Sequence, residues 1–169
     1  MDGGHGINTN WVDDIALNDT AGGADDSWCG NGHIIALVPN GAVSAQWTPS
    51  AGANYQCVDE RGPNDDTDYV YASGSSFKDV YDFSACGLSN VSISRVWTQW
   101  SSRKTNTSDP IKSRTLLNVG GVDYDDADAV AEQTSYKHHT GDDHTVKPGT
   151  TDAWTTTDLD ALRAGPKVD

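Results

Sequence analysis

The sequence predicts an all-β protein: an antiparallel β-sandwich, jelly-roll-like in its arrangement, with one short helix near the C-terminus. About ten short runs rich in aromatic and β-branched residues recur at intervals of about 8–14 residues, with turn-forming residues between them. Residues that favour helices are scarce, because the chain has one Met and its only Glu residues are Glu60 and Glu132. Thr, Ser, Gly and Asp are abundant instead, and this balance favours strands and turns.

The N-terminal half is predicted to consist of short strands. Residues 1–10 have the Gly and Asn content of a flexible lead-in, and residues 11–169 are expected to form a single domain. Strands are predicted at residues 11–17, 33–38, 43–47, 69–72 and 80–83. The run at 33–38 is continuously apolar and is followed by Pro39-Asn40-Gly41, which predicts a strand buried on both faces. Residues 55–60 fit either a continued meander or one helical turn.

The C-terminal half contains the longest predicted strand. Residues 91–104 alternate between two faces, and residues 112–122 do the same before ending at Gly120-Gly121. Residues 129–138 are ambiguous between helix and strand, although Thr134 and Tyr136 favour a strand.

A short helix is predicted close to the C-terminus. Thr155 or Thr156 is expected to cap a helix over residues 157–162. Gly165 and Pro166 then lie where a helix commonly ends, because Gly adopts the left-handed conformation easily and Pro cannot continue the helix.

The net charge of the chain limits the kinds of partner that it is expected to bind. The formal net charge is −14 at pH 7, and almost all of the acidic residues are Asp. Such a surface repels nucleic acid phosphates and anionic lipids, so neither nucleic acid nor a membrane is expected as a partner. We find no apolar run of about 18–20 residues, as a membrane-spanning helix requires, and no signal-peptide core at the N-terminus. The chain is therefore expected to be soluble.

No catalytic motif is recognisable in the sequence. It contains none of the nucleophile, zinc-protease or phosphate-binding patterns, so an enzyme is not expected and no catalytic, cofactor-binding or metal-ligating residue is assigned. The cysteines Cys29, Cys57 and Cys86 lack a CxxC spacing. They are expected to be small buried residues, with one disulfide plus a free thiol as the alternative.

Two kinds of segment invite a metal-binding interpretation. His138, His139 and His144 lie near Asp142 and Asp143, and imidazole with carboxylate is a ligand set for zinc or copper. A solvated polar loop is the preferred interpretation of that segment. The acidic segments 64–68 and 123–128 resemble calcium loops but lack the EF-hand pattern, so they are expected to be plain turns.

Sugar binding is a further alternative. Five tryptophans are candidates for an aromatic platform that stacks on a sugar: Trp28, Trp47, Trp97, Trp100 and Trp154. Core packing is the preferred interpretation, since the chain is short of aliphatic residues. Trp97 and Trp100 would also fall on opposite faces of a regular strand.

An ordered series of short segments resembles a known group of proteins. The series is WVDDI at 11–15, IALVP at 35–39, WTPS at 47–50, NYQCVDE at 54–60, DTDYV at 66–70 and AWTTTDL at 153–159, followed by Gly165. It is similar to bacteriophage and prophage virion structural proteins in which this segment often follows a laminin-G-like sandwich. The chain departs from that group in its three cysteines, and its 169 residues do not include the preceding sandwich.

The resemblance implies a component of a virion, assembled in the host cytoplasm and then extracellular. A capsid decoration (cement) protein that binds neighbouring virion subunits is the preferred expectation, with a tail-associated position left open. The expected partners are major capsid or tail subunits and further copies of the chain. The alternatives are a carbohydrate-binding adhesin module of a tail or cell surface and a subunit of an extracellular filament.

Overall fold

The computed structural model describes residues 34–107 and 110–169. Within these residues the chain is all-β apart from one 3₁₀ helix and one short α-helix, which confirms the predicted fold class. The predicted lead-in over 1–10 and the predicted strand at 11–17 lie outside the described residues. Residues Ala36–Asp169 form one unit. A single domain beginning at residue 11 stays a prediction.

The elements follow one another in chain order. They are β1 (Pro39–Ala45), β2 (Thr48–Pro49), the 3₁₀ helix (Asn54–Cys57), β3 (Val70–Tyr71), β4 (Asp79–Phe83), β5 (Gln99–Ser102), β6 (Lys112–Val119), β7 (Val122–Asp125), β8 (Val130–Ala131), β9 (Lys137–Thr140), α1 (Thr156–Asp160) and β10 (Arg163–Val168).

One sheet dominates the described part of the chain. It runs in the order β1-β4-β10-β6-β7, and β8 also pairs with β6. The other strands form two two-stranded ribbons, β2–β3 and β5–β9. Every strand pairing in the described residues is antiparallel. The order of strands expected for a jelly roll is a finer prediction that this topology leaves open.

Strand β6 connects the sheet to the hydrophobic core. Leu117 is almost completely buried, and it pairs with Ala164 of β10. The same cluster contains Trp154, Leu159 of α1 and Leu162. Helix α1 thus buries one apolar residue, Leu159, and its packing against the sheet compensates for its short length.

The ribbon β5–β9 lies against the same face of the sheet. Thr98 Oγ1, just before β5, is 2.5 Å from Thr115 Oγ1 of β6. Ser102 Oγ donates to Glu132 Oε1 across 2.7 Å. These hydrogen bonds join the ribbon to the sheet through side chains, so polar groups fill part of the space between them.

The prediction of a buried strand at 33–38 is wrong. In the part of this run that the structure describes, residues 34–38 are not in a strand, and Ile34 is 77% exposed. The strand begins at Pro39, so Pro39 and Gly41 belong to β1 and do not end it. β1 accommodates them because its pairing with β4 is irregular between Pro39 and Gly41 and again between Ala42 and Ser44.

The long strand predicted at 91–104 is also wrong in extent. Only β5 pairs as a strand, together with an isolated bridge between Val96 and His144. Its partner β9 has four residues, and a strand is only as long as the partner that satisfies its backbone groups. The predicted strand at 129–138 is in fact divided between β8 and β9.

Other predicted elements are confirmed with small shifts. The strands at 69–72 and 80–83 appear as β3 and β4, and residues 55–60 begin with the helical turn and not with a strand. The strand at 112–122 is β6, and Gly120 and Gly121, both at positive φ, turn the chain into β7. Thr155 caps α1, as predicted, by accepting a hydrogen bond from the Asp158 amide. The prediction that Gly165 and Pro166 mark the end of the helix is wrong, because α1 ends at Asp160 and both residues lie within β10.

Candidate binding surface

A buried carboxylate, Asp79, anchors the region that carries the candidate surface. It lies at the start of β4 and is 0% exposed. Its Oδ1 accepts from the backbone amides of Gln46 (2.6 Å) and Trp47 (2.8 Å). Its Oδ2 accepts from Asn54 Nδ2 and from the Tyr81 hydroxyl, both at 2.7 Å. A buried carboxylate needs donors of this number, because none of its charge is solvated by water.

The same network holds the chain before and after β2. Asn54 Nδ2 donates a second hydrogen bond to the Trp47 carbonyl at 2.7 Å. Cys57 Sγ donates to the Ala51 carbonyl at 2.8 Å, which closes the 3₁₀ helix onto the preceding turn. The segment that contains β2 is therefore fixed to β4 through side chains at both of its ends.

Two tyrosines lie at β3, Tyr69 directly before the strand and Tyr71 within it, and we call this pair the tyrosine face. Tyr69 is 40% exposed and Tyr71 is 49% exposed, and two residues apart on extended chain they share one side. Their ring centroids are 6.3 Å apart with an interplanar angle of 53°. Two hydrogen bonds tie Tyr69 to Ser50, with Ser50 N donating to Tyr69 O (2.8 Å) and Tyr69 N donating to the side-chain Oγ of Ser50 (2.9 Å).

Residues 59–68, the acidic loop, lead directly into the tyrosine face. Asn64 Nδ2 donates to Glu60 Oε1 at 2.9 Å and also to Asp68 Oδ1. Loss of surrounding water, and then the carboxylates of Asp68 and Asp59, raise the pKa of Glu60. Glu60 and Asp68 also lie close enough to share the amide of Asn64, and an approaching cation stabilises two carboxylates placed in this way.

A contact from the β5–β9 region holds the acidic loop in place. Arg103 NH2 donates to Asp66 Oδ1 at 2.6 Å, and the Tyr136 hydroxyl donates to the same oxygen at 3.0 Å. The Arg103 guanidinium also stacks over the Tyr136 ring, 4.9 Å from its centroid. Together the three side chains link the loop to a separate ribbon, which reduces the number of conformations open to the loop.

A second buried polar cluster lies between the sheet and the β5–β9 ribbon. Asp126 is 2% exposed and accepts from the Thr115 hydroxyl, while His144 Nε2 lies 3.6 Å from Asp126 Oδ1. Gly141 approaches this cluster closely, and a β-carbon added there would overlap the side chains of Asp126 and Thr98. The hydrogen bond from Thr115 ties Asp126 to β6, and Asp126 in turn contacts His144, which gives the cluster a structural role.

The histidine segment is more ordered than the predicted solvated loop. Lys137–Thr140 forms β9, and the partly buried ring of His139 lies against Trp100, with centroids 5.0 Å apart. His138 points to the other side of the strand and is exposed. His144 lies beside Asp126 and not beside the other two histidines. The loop prediction is thus wrong for these residues.

The two acidic segments differ from each other in structure. Residues 64–68 form the turn that the sequence predicts, with Thr67 N donating to Asn64 O at 3.2 Å. In the second segment Asp123 and Asp125 lie on β7, where they pair with Lys78 and Lys167. The prediction of a plain turn at 123–128 is therefore wrong for residues 123–125. Within 34–107 and 110–169, no group of three or more His, Cys, Asp or Glu side chains is arranged to hold a metal ion.

The four tryptophans in the described residues are buried or partly buried. Trp154 is buried in the core and donates to the His144 carbonyl at 2.9 Å, as the core interpretation predicts. Trp47, Trp97 and Trp100 are partly buried. Cys57 and Cys86 are buried free thiols, whereas Cys29 and Trp28 lie outside the described residues. The exposed aromatic pair is made by tyrosines that the sequence identified only as strand formers.

One signal in the sequence marks this pair. Tyr69 and Tyr71 sit on alternate positions of a predicted strand and follow a run of acidic residues. Alternation shows that the two rings share a face, but the sequence alone does not tell whether that face points to the core or to water. The packing of β2 and β3 as an isolated ribbon decides this.

Comparisons with known proteins add no relative to this description. No protein-family model, no curated protein and no solved structure matches the chain. Among the described residues, no helix is long and apolar enough to cross a membrane.

Proposed function

We propose that this chain is a bacteriophage virion structural protein, a capsid decoration protein that binds neighbouring virion subunits. The observation that carries the proposal is the tyrosine face, an aromatic pair exposed to solvent at the hydrogen-bonded ribbon β2–β3. Tyrosine is enriched among the residues that dominate protein–protein binding energy, since it supplies a large contact area and loses few rotamers.

Several residues that carry the resemblance make structural contacts. Asn54 bonds Asp79, Asp66 bonds Arg103, and Thr155 caps α1. A resemblance concentrated at such positions supports a shared scaffold, and a scaffold that presents side chains on fixed strands suits a protein whose role is to bind other subunits. Repetition over a particle would strengthen each weak contact through multivalency.

The location of the protein in particles tests the proposal. Particles released from bacteria that carry the gene are purified and labelled with an antibody against the chain, and their protein composition is measured by mass spectrometry. A decoration protein labels the shell and is present in copy numbers comparable with those of the major capsid subunit. Particles without the chain would contradict the proposal.

A carbohydrate-binding adhesin module is the second candidate. The tyrosine face favours it as well, because exposed aromatic rings stack on the apolar faces of sugars, although the sequence suggested tryptophans for that role. A glycan array separates the two candidates. An adhesin binds a defined sugar and is present in a few copies at the tail, whereas a decoration protein binds the shell without a sugar.

A further inference from the structure

We infer that the tyrosine face and the acidic loop together form the surface on which this chain docks to its neighbour, and that the neighbour presents an apolar site surrounded by Lys and Arg. The inference rests on the proposed function and names the contact surface and the chemistry of the partner.

The aromatic part of the surface is ready to make contact. Tyr69 and Tyr71 leave 40% and 49% of their surface in water, and the backbone around Tyr69 is tied to Ser50 through two hydrogen bonds. Large rings on a backbone held in this way lose little conformational entropy on binding. They are therefore suited to fill a shallow apolar site on a partner.

The charged part lies immediately beside it. Residues 59–68 contain five carboxylates, Asp59, Glu60, Asp65, Asp66 and Asp68, and one cation, Arg61. Asp66 is paired with Arg103, whereas Glu60 and Asp68 share the amide of Asn64. Asp68 is also directly bonded to Tyr69 in the chain, so the negative charge begins where the aromatic face ends.

Charge complementarity then defines the partner. A surface with net negative charge around an aromatic centre attracts a basic surface and repels an acidic one. A second copy of this chain, with its net charge of −14, is disfavoured as the partner at this surface. A basic patch on another kind of subunit is therefore the expected partner. Its cations are attracted to the carboxylates of the acidic loop and reduce the repulsion between Glu60 and the carboxylates of Asp59 and Asp68.

The surface is also organised before binding. Arg103 and Tyr136 donate hydrogen bonds to Asp66. Asn64 donates to Glu60, which precedes it in the sequence, and to Asp68, which follows it. Contacts that fix a loop in its binding conformation reduce the entropy lost on association. Neither set of contacts involves the rings of Tyr69 and Tyr71, so both rings remain available to contact the partner.

The test is re-addition of the full chain to particles assembled without it. Binding of the wild type is compared with that of Tyr69→Ala/Tyr71→Ala and of Glu60→Gln/Asp68→Asn. We expect the aromatic double variant to bind about a hundredfold more weakly. We expect the charge variant to bind about three- to tenfold more weakly at low salt and to match the wild type at high salt, where screening removes the attraction.

Matched variants control for folding and for general charge effects. Tyr69→Phe/Tyr71→Phe keeps both rings and is expected to retain most of the affinity. Asp128→Asn/Asp152→Asn removes the same charge from exposed positions elsewhere and is expected to bind like the wild type. Circular dichroism establishes that each variant is folded.

The outcomes separate the inference from the proposed function. If the wild type does not bind the particles, the proposed function fails. If the wild type binds and both the tyrosine and the charge variants bind equally well, the docking surface lies elsewhere and the inference is overturned while the function stands. Binding of a sugar that is lost in Tyr69→Ala/Tyr71→Ala would assign the face to carbohydrate and also overturn it. A carbodiimide cross-link between Glu60 or Asp68 and a lysine of the capsid subunit supports it.

Discussion

Tyr81 donates its hydroxyl proton to Oδ2 of Asp79 across 2.7 Å, and both side chains are buried. This bond is one of four that the Asp79 carboxylate accepts, and the others come from Gln46 and Trp47, the two residues after β1, and from Asn54 of the 3₁₀ helix. The position of the β2–β3 ribbon, and with it the tyrosine face, therefore depends on one carboxylate of β4.

The first prediction concerns the loss of this carboxylate. Asp79→Ala leaves four donors, two backbone amides and the side chains of Asn54 and Tyr81, without their shared acceptor. We expect it to lower the free energy of unfolding by about 4 kcal/mol or more. Tyr81→Phe removes one donor and keeps the ring, so a loss of about 1–2 kcal/mol is expected. Urea unfolding followed by tryptophan fluorescence measures both. Equal midpoints for Asp79→Ala and the wild type would refute the role of Asp79.

The second prediction concerns alkaline pH. Burial and, next, the hydrogen bond to Asp79 raise the pKa of Tyr81 far above its ordinary value of 10.0. Because the folded state holds this proton more tightly than the unfolded chain, the stabilisation is complete below about pH 10 and is lost as the pH rises further. The wild type is thus expected to lose about 1.4 kcal/mol more than Tyr81→Phe for each pH unit above 10. Parallel pH profiles from urea unfolding would contradict this expectation.

The third prediction concerns the close approach of β10 to β4. A β-carbon at Gly165 would overlap the backbone carbonyl oxygen of Asp79, which no side-chain rotation relieves. We expect Gly165→Ala to lower the free energy of unfolding by about 3 kcal/mol or more. Gly62→Ala is the matched control, because a β-carbon there meets nothing within 4 Å, and its effect should stay within about 0.5 kcal/mol. A Gly165→Ala protein as stable as Gly62→Ala would disprove the close approach.

The fourth prediction concerns the N-terminus of α1. Asp158 accepts from Thr155 N (2.8 Å) and Thr155 Oγ1 (2.6 Å), and the hydroxyl bond is the main cause that lowers the Asp158 pKa. Since the folded-state pKa is lowered, the stabilisation is present above about pH 4 and disappears as the pH falls through the folded-state value. Asp158→Asn should lose about 0.5–1 kcal/mol at pH 7 and match the wild type near pH 2. A loss of the same size at both pH values would show that the charge of Asp158 is not involved.

Local signals in the sequence were sufficient where an element depends on its own residues. The cap at Thr155 and the Gly120-Gly121 turn were predictable because capping hydroxyls and paired glycines act over a few positions. The strand at β6 was predictable for a similar reason, since its alternation is regular over eight residues.

Elements that depend on a distant partner were not predictable in this way. Gly165 and Pro166 resemble a helix end, yet they lie in β10 between β4 and β6. The Val168 amide donates to the Phe77 carbonyl. Because backbone groups alternate in direction along a strand, the nitrogen of Pro166, two residues away, faces the same side. On that side, β4 pairs only with Arg163 and Ala164 of β10. The absence of an N–H group on Pro166 therefore costs no hydrogen bond between these two strands. Information of this kind lies in the pairing of strands 80 residues apart and not in the local sequence.

The binding surface was only partly predictable. The acidic turn and the strand with its two tyrosines were both recognisable, but their exposure was not, because a two-residue strand does not define which face is buried. The link from Asp66 to Arg103 and Tyr136 joins residues far apart in the chain, and no spacing rule indicates it.

A high-resolution image reconstruction of particles that carry the chain tests the central claim most directly. We predict that the rings of Tyr69 and Tyr71 lie within about 4 Å of a neighbouring subunit, with its Lys or Arg side chains next to Glu60 and Asp68. A reconstruction in which both rings face solvent in every copy would contradict the account.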